Sequence, residues 1–159
     1  MSVWVTIACT SSVFANSEYP NHKELSETVR LKVIVPRYQY LSFSFYNLHT
    51  SMSELCATHD EFTLHSTQQA YSQAIDAWGA VEIFKFGPVI KENRFNRIFY
   101  WPDRKGRGRR QIIQLLRKHD TNTLSSKSLA NKSIATQGLT ALEILLFDQE
   151  ALQGIFSCK

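Results

Sequence analysis

An apolar stripe through the first half of the chain restricts the fold more than any other feature of the sequence. From Glu24 to about Ala57, apolar side chains recur at alternating spacings of four and three residues: Ile34, Tyr38, Leu41, Phe45, Leu48, Met52 and Leu55. This spacing places them on one face of a helix. Pro36 lies inside the stripe and lacks a backbone donor, so we expect it to kink the helix or to mark its effective start.

Three later segments also carry helical patterns. The second predicted helix runs from about Glu61 to Phe84, with Asp60 as its N-cap and small alanines that let a neighbouring helix approach closely. The third spans about Arg109 to His119, and the fourth about Leu129 to Phe147. Gly138 is a weak point in the fourth helix, at a cost of ~1 kcal/mol against alanine, and indicates close packing or a nearby ligand. The predicted fold class is all-α, an up-and-down helical bundle.

An aromatic segment from Phe84 to Asp103 lies between the second and third helices. It holds six aromatic residues and is broken by Gly87-Pro88 and Trp101-Pro102, so it is neither a solvated linker nor one helix. We expect a packed loop that walls a cleft or plugs the end of the bundle. Four of its aromatic side chains and one from the second helix are predicted to be core: Trp78, Phe95, Phe99, Tyr100 and Trp101. The alternative is a tryptophan at a cleft edge that stacks on a ligand.

Composition and charge narrow the function only broadly. The chain has 159 residues, 43% of them hydrophobic, and a formal net charge of +4, which suits one soluble domain with weak attraction to anionic partners. The basic run from Arg104 to Arg110 admits a nucleic-acid interpretation, but no known RNA- or DNA-binding motif accompanies it. We expect a solvated loop, or one facing anionic lipid or peptidoglycan.

The N-terminus and the cysteines bear on cellular location. Residues 1–15 are interpreted as the remnant of a signal peptide, with the cleavage pattern Val13-Phe14-Ala15 but no basic region before the apolar run. Either the true start lies upstream or this is not a signal; lipidation at Cys9 is a minor alternative. If the protein is exported, Cys56 and Cys158 are candidates for a disulfide; otherwise they are unpaired buried thiols.

Three blocks of sequence resemble the imelysin family, also called the M75 peptidase-like or insulin-cleaving membrane protease-like family. They run from Val33 to Leu41, from Ala77 to Leu116 and from Ser133 to Asp148. The resemblance implies an all-α fold of two helical bundles with a cleft between them, in exported bacterial proteins of the periplasm or outer membrane that are often linked to iron uptake. The chain is about half the family length, so we expect residues 24–159 to be a C-terminally truncated imelysin-like domain.

The family signature GxHxxE falls on Gly138 to Glu143, but Thr140 stands where the family has histidine. A threonine hydroxyl is a poor ligand for zinc, iron or copper, and Glu143 alone, as the only metal candidate, cannot hold a transition metal. The resemblance therefore gives little support to a divalent metal cofactor or to peptidase activity. Gln137, Gly138, Thr140 and Glu143 remain candidate binding residues.

Glu143 has two interpretations on this apolar helix. It is either a metal or substrate contact, or a buried carboxylate paired with Arg94 or Arg97 of the aromatic segment. We predict the ion pair. The predicted function is a binding or accessory role at the cell envelope, with an unidentified ligand or envelope protein as partner and a possible link to iron uptake. An M75-type metallopeptidase and a basic nucleic-acid-binding module are the alternatives.

Overall fold

The computed structural model describes residues 21–118 and 125–157, and within these ranges every regular element is helical. The prediction of an all-α helical bundle is confirmed. The proposed signal peptide, Cys158 and His119 lie outside the described residues. The α-helices are α1 (His22–Val29), α2 (Val35–Thr58), α3 (Glu61–Val81), α4 (Arg94–Ile98), α5 (Arg107–Lys118), α6 (Ser126–Ala130), α7 (Gly138–Phe147) and α8 (Gln149–Ser157).

The long N-terminal helix is continuous but changes its winding before the proline. A π-helical turn, Arg30–Ile34, joins α1 to α2, and the N–H of Val35 bonds to the carbonyl of Arg30, five residues back. Pro36 follows in the first turn of α2. A proline ring clashes with the carbonyl four residues before it, and the wider π-turn gives that carbonyl room. As expected, Pro36 marks the start of the regular helix.

Helices α2 and α3 form an antiparallel hairpin with a two-residue connection. His59 ends α2 in the left-handed conformation, with a φ of 54°, and Asp60 caps α3 by accepting the N–H of Thr63 at 2.7 Å. The predicted cap is confirmed. Across the hairpin the hydroxyl of Thr67, which is fully buried, donates to the carbonyl of Ser51 at 3.0 Å. Because the connection is this short, the two helices must pack side by side.

The core lies where α7 packs against this hairpin. Leu146 of α7 is fully buried, and its carbonyl accepts a hydrogen bond from the side-chain amide of Gln68 in α3 at 2.7 Å. The apolar stripe of α2 and the small face of α3 supply most of the remaining core: Leu41, Leu48, Leu55, Ala70, Tyr71, Ala74, Ala77, Trp78, Val81 and Leu139. The predicted alanine face is therefore a packing surface.

The aromatic segment is irregular, as predicted, but the predicted burial of one of its residues, Trp101, is not found. It forms a 3₁₀ turn at Gly87–Asn93, then α4, then an extended stretch, and the ring of Phe95 packs 5.1 Å from that of Trp78. Trp101 was predicted to be core, and this is wrong: it is 73% exposed. The backbone is anchored on both sides, at Tyr100 and at Asp103, and the side chain between the anchors faces solvent.

The predicted fourth helix is not one helix. Residues 129–147 contain the end of α6, a 3₁₀ turn at Ile134–Thr136, and α7, which begins at Gly138. Gly138 has a φ of +63°, in the left-handed region that favours glycine. It is therefore the start of a helix and not a weak point inside one. The expectation of close packing at this glycine is confirmed.

Replacing Leu146 with alanine tests the position of the core. We expect Leu146→Ala to lower the free energy of unfolding by about 2–5 kcal/mol, because Leu146 is fully buried and its truncation leaves a cavity in the core. Leu25→Ala is the matched control, since Leu25 is 47% exposed in α1, and we expect a change within about 0.5 kcal/mol. Urea denaturation followed by circular dichroism measures both, and equal losses would contradict this core.

Candidate functional site

The start of α7 packs closely against the aromatic segment because Gly138, its first residue, has no side chain. A Cβ on Gly138 would overlap the backbone carbonyl oxygens of Arg97 and Ile98 at the end of α4. Only glycine both tolerates the positive φ and leaves room for these carbonyls. The glycine of the signature therefore sets the distance between α7 and α4.

Gln137, the residue before the signature, is the centre of a hydrogen-bond cluster. Its side-chain nitrogen donates to the carbonyls of Leu129, at 2.9 Å, and Lys132, at 3.0 Å. Its side-chain oxygen accepts from the guanidinium of Arg97 at 3.2 Å, and the same nitrogen of Arg97 donates to the carbonyl of Ala130 at 2.8 Å. Gln137 and Arg97 thus fasten α4 to the end of α6.

Thr140 occupies the histidine position of the signature and bonds to the backbone of a single residue. Its hydroxyl accepts the N–H of Tyr100 at 3.0 Å and donates to the carbonyl of Tyr100 at 3.0 Å. The side chain is only 8% exposed. Its hydroxyl proton is used in the bond to the Tyr100 carbonyl, so Thr140 links α7 to the extended stretch after α4.

Glu143 does not form the predicted ion pair. It is exposed, and no ion pair within the described ranges includes it. Arg94 instead pairs with Glu92 at 2.9 Å, and Arg97 is used by the Gln137 cluster. The prediction was wrong because Gly138 turns the start of α7 and leaves Glu143 on the solvent side of the helix.

The carboxylate of Glu143 nevertheless acts on a buried neighbour. Tyr71 is 5% exposed, and its hydroxyl donates to the carbonyl of Leu139 at 3.1 Å. Burial is the main cause that raises the pKa of Tyr71 well above its ordinary value, and the negative charge of Glu143 raises it further. Tyr71 therefore stays neutral in the folded protein over the ordinary pH range.

Metal ligands do not converge around the signature. Within residues 21–118 and 125–157, no three side chains of His, Cys, Asp or Glu lie close enough together to hold a metal ion. Glu143 is the metal candidate predicted from the sequence, and the hydroxyl of Thr140 is bonded to Tyr100 instead of serving as a second donor. Cys56 has no disulfide partner among the described residues, and its predicted partner, Cys158, lies outside them. Cys56 is exposed, so the alternative prediction of a buried thiol is wrong for this residue.

Two open apolar grooves meet at the first turns of α7. One, of about 440 Å³, lies between α2 and α7, with Arg97 and His49 at its edge; its apolar residues are Phe45, Leu48, Met52, Ile98, Leu139 and Leu142. The other, of about 590 Å³, lies among α5, α6 and α7; its largest apolar residues are Ile112, Leu115, Leu116, Leu129, Leu142 and Leu145. Gly138 and Leu142 line both grooves. Volumes of this size are typical of binding sites.

The sequence interpretation expected a cleft walled by the aromatic segment but did not locate open grooves on either side of Leu142. The signal was present, because α7 has apolar residues around most of its circumference and one neighbouring helix cannot cover them all. The core takes Leu139 and Leu146, and the remaining leucines, Leu142 and Leu145, line the grooves.

The charged surface of α5 is divided into two parts. Arg109 pairs with Asp148 at 2.6 Å and with Glu150 at 3.1 Å, and Arg117 pairs with Glu150 at 2.7 Å. These contacts lower the pKa values of both carboxyls, with the hydrogen bond from Arg109 as the main cause for Asp148 and that from Arg117 for Glu150. They join α5 to α8. The other cations of the loop and helix form no such pairs among the described residues.

Fold and signature together define an all-α protein of the imelysin type. The sequence profile of the imelysin family, peptidase M75, matches residues 34–156. The chain therefore belongs to the imelysin family, and the resemblance noted in the sequence is confirmed. No curated protein and no solved structure matches it. None of the described helices is long and apolar enough to span a bilayer.

Replacing Gly138 with alanine tests the contact between α7 and α4. We expect Gly138→Ala to cost about 3 kcal/mol or more, because the new Cβ meets backbone atoms that cannot move aside and the φ is unfavourable. Gly79→Ala is the control: Gly79 lies in α3 with open space around it, and alanine there should be neutral or stabilising by up to ~1 kcal/mol. Similar stabilities for the two variants would contradict the contact.

The pH dependence of stability tests the environment of Tyr71. Because its folded pKa is raised, its contribution is fully present below the unfolded pKa of about 10 and is lost as the pH rises towards the folded value. Above about pH 10 stability should fall by up to ~1.4 kcal/mol per pH unit from this group. Tyr71→Phe should remove that slope, and Tyr46→Phe, at an exposed position, should keep it. A slope unchanged in Tyr71→Phe would refute this account.

Proposed function

We propose that this imelysin-family protein is an exported component of the bacterial cell envelope that binds a partner without cleaving it, in a system linked to iron uptake. The family membership supports the general class. The location in the cell envelope, the binding of a partner and the link to iron uptake go beyond the family membership, and they are what we propose. The sequence features that favour export are the apolar N-terminal run and the small residues before Ala15.

The observation that carries the proposal is the use of Thr140. A metallopeptidase needs a side chain at this position that can ligate a metal ion and leave an open site for water. Here the hydroxyl is paired with the N–H and the carbonyl of Tyr100 and holds two segments together. The signature helix therefore serves as a structural support for the surface around it.

The grooves on either side of Leu142 are the binding surface that we propose. Both are open to solvent and almost entirely apolar, which suits apolar side chains supplied by a partner's surface better than enclosure of a polar ligand. Arg97 and His49 also line the first groove. An envelope protein that presents an amphipathic helix fits this surface.

Metal content separates binding from the peptidase alternative. We expect the purified protein to hold far less than one equivalent of zinc or iron, and Glu143→Gln to leave that content unchanged. Elemental analysis of both proteins, after growth in metal-supplemented medium, measures this. Stoichiometric metal that Glu143→Gln abolishes would overturn the binding proposal in favour of a metal site.

Location and groove use are tested in the bacterial host. Fractionation should place the full chain in the periplasm or at the outer membrane, and its abundance should rise under iron limitation. A photo-crosslinker at Leu142 should yield one discrete adduct that the same crosslinker at Tyr46, on an exposed face of α2, does not give. Cytoplasmic recovery, or equal adducts from both positions, would contradict the proposal.

A further inference from the structure

A second surface, remote in sequence from the signature, combines one exposed aromatic side chain with four cations. We call it the basic-aromatic patch and define it as Trp101, Arg104, Lys105, Arg107 and Arg110. All five residues are exposed, and Trp101, at 73%, is the second most exposed large apolar side chain of the described residues. Neither the core nor the two grooves uses any member of the patch.

None of the four cations of the patch forms an ion pair with a described carboxylate, although the charge of Arg110 acts on Asp103. The described chain forms ion pairs through Arg30, Arg94, Arg109 and Arg117, and not through the patch. Asp103 lies between the patch residues, but its two oxygens accept the N–H groups of Arg107 and Gly108, each at 2.8 Å. It therefore closes the first turn of α5 and offsets only one of four positive charges.

Local geometry gathers the patch into a small area. Trp101 and Arg104 are three residues apart, so their Cα atoms lie at most about 10 Å from each other. Arg107 and Arg110 are one turn apart on α5, which makes their side chains neighbours at about 5–6 Å between Cβ atoms. On the side of α5 that faces α8, the cations are paired with Asp148 and Glu150, so the unbalanced charge belongs to the patch.

We propose that the basic-aromatic patch docks this protein on an anionic phospholipid bilayer, with Trp101 in the headgroup region and the four cations against lipid phosphates. Tryptophan has an apolar ring and a polar N–H, and it is enriched at the boundary between membrane and water. Clustered arginine and lysine next to it attract anionic lipid. The groove binds the partner, and the patch sets which side of the molecule faces the membrane.

The patch suits a bilayer better than a single-stranded nucleic acid. Binding of single strands without sequence preference uses several aromatic rings on which successive bases stack. Of the six aromatic residues in the segment from Phe84 to Asp103, Trp101 is the one exposed beside the four cations; Phe95, Phe99 and Tyr100 are partly buried. One ring at the centre of a basic cluster is enough for an interfacial anchor.

Vesicle co-sedimentation with the full chain tests the charge requirement. The protein should bind vesicles that contain phosphatidylglycerol, bind pure phosphatidylcholine vesicles far less, and release as salt is added. The fourfold variant Arg104→Gln, Lys105→Gln, Arg107→Gln and Arg110→Gln should bind more than about 100-fold more weakly, at about five-fold for each cation near the surface. Wild-type binding to the anionic vesicles after these four changes would overturn the proposal.

A matched variant separates the patch from overall charge. Lys23→Gln, Lys32→Gln, Lys91→Gln and Lys127→Gln together remove the same charge from exposed lysines on other elements. This control should weaken binding by less than about five-fold, because these lysines lie outside the patch. Equal losses in both fourfold variants would show attraction by net charge and would refute a defined docking surface.

Fluorescence reports the tryptophan directly. The chain has three tryptophans, so the test uses a Trp4→Phe background. The emission of that protein should shift to the blue on anionic vesicles, and adding Trp101→Phe should abolish the shift, since the remaining Trp78 is buried. If the fourfold variant fails to fold, Arg104→Glu alone, at an exposed position, tests the same charge. A shift that survives Trp101→Phe, or binding to a single-stranded oligonucleotide in place of vesicles, would overturn the proposal. The vesicle result stands independently of cell fractionation, so the two proposals fail separately.

Discussion

The rest of the structure depends on the close approach between Gly138 and the carbonyls at the end of α4. Only backbone atoms meet in this contact, and hydrogen bonds from the neighbouring side chains stabilise it. Gln137 and Thr140, on either side of Gly138, each bond to a segment outside α7. Because the glycine lets the backbones meet, both hydrogen-bonding side chains reach their partners, and the aromatic segment becomes part of the folded unit.

Helix α7, which begins at this contact, has one face that is covered by other helices and one face that is open to solvent. Leu139 and Leu146 of α7 are buried against the hairpin of α2 and α3. Leu142 and Leu145, on the same helix, line grooves that no described element covers. An apolar helix with one face covered and one face open is a surface for association, because apolar area in contact with water costs free energy until another surface covers it.

Sequence reasoning succeeded where the physics is local and failed where a contact is made by distant residues. The helix period, the cap at Asp60 and the role of Pro36 follow from neighbouring residues, and all were predicted. The partner of Glu143 was not, because Glu143 lies on the solvent side of α7 and Arg97 bonds to Gln137 and to the carbonyl of Ala130 instead. The prediction that Trp101 is buried failed for the same reason. Hydrophobicity predicts burial, but the hydrogen bonds at Tyr100 and Asp103 set the direction of the side chain between them.

The replacement of histidine by threonine in the signature has a structural consequence beyond the loss of a ligand. Imidazole carries its donor and its acceptor on two separate ring nitrogens, whereas a hydroxyl donates and accepts at one atom. That single atom is what allows Thr140 to bond both the N–H and the carbonyl of Tyr100. The extended stretch after α4 is thereby fixed along α7, which places Trp101 and the basic turn at the surface. A position associated with chemistry in the family has become, in this chain, a position that orients an exposed surface.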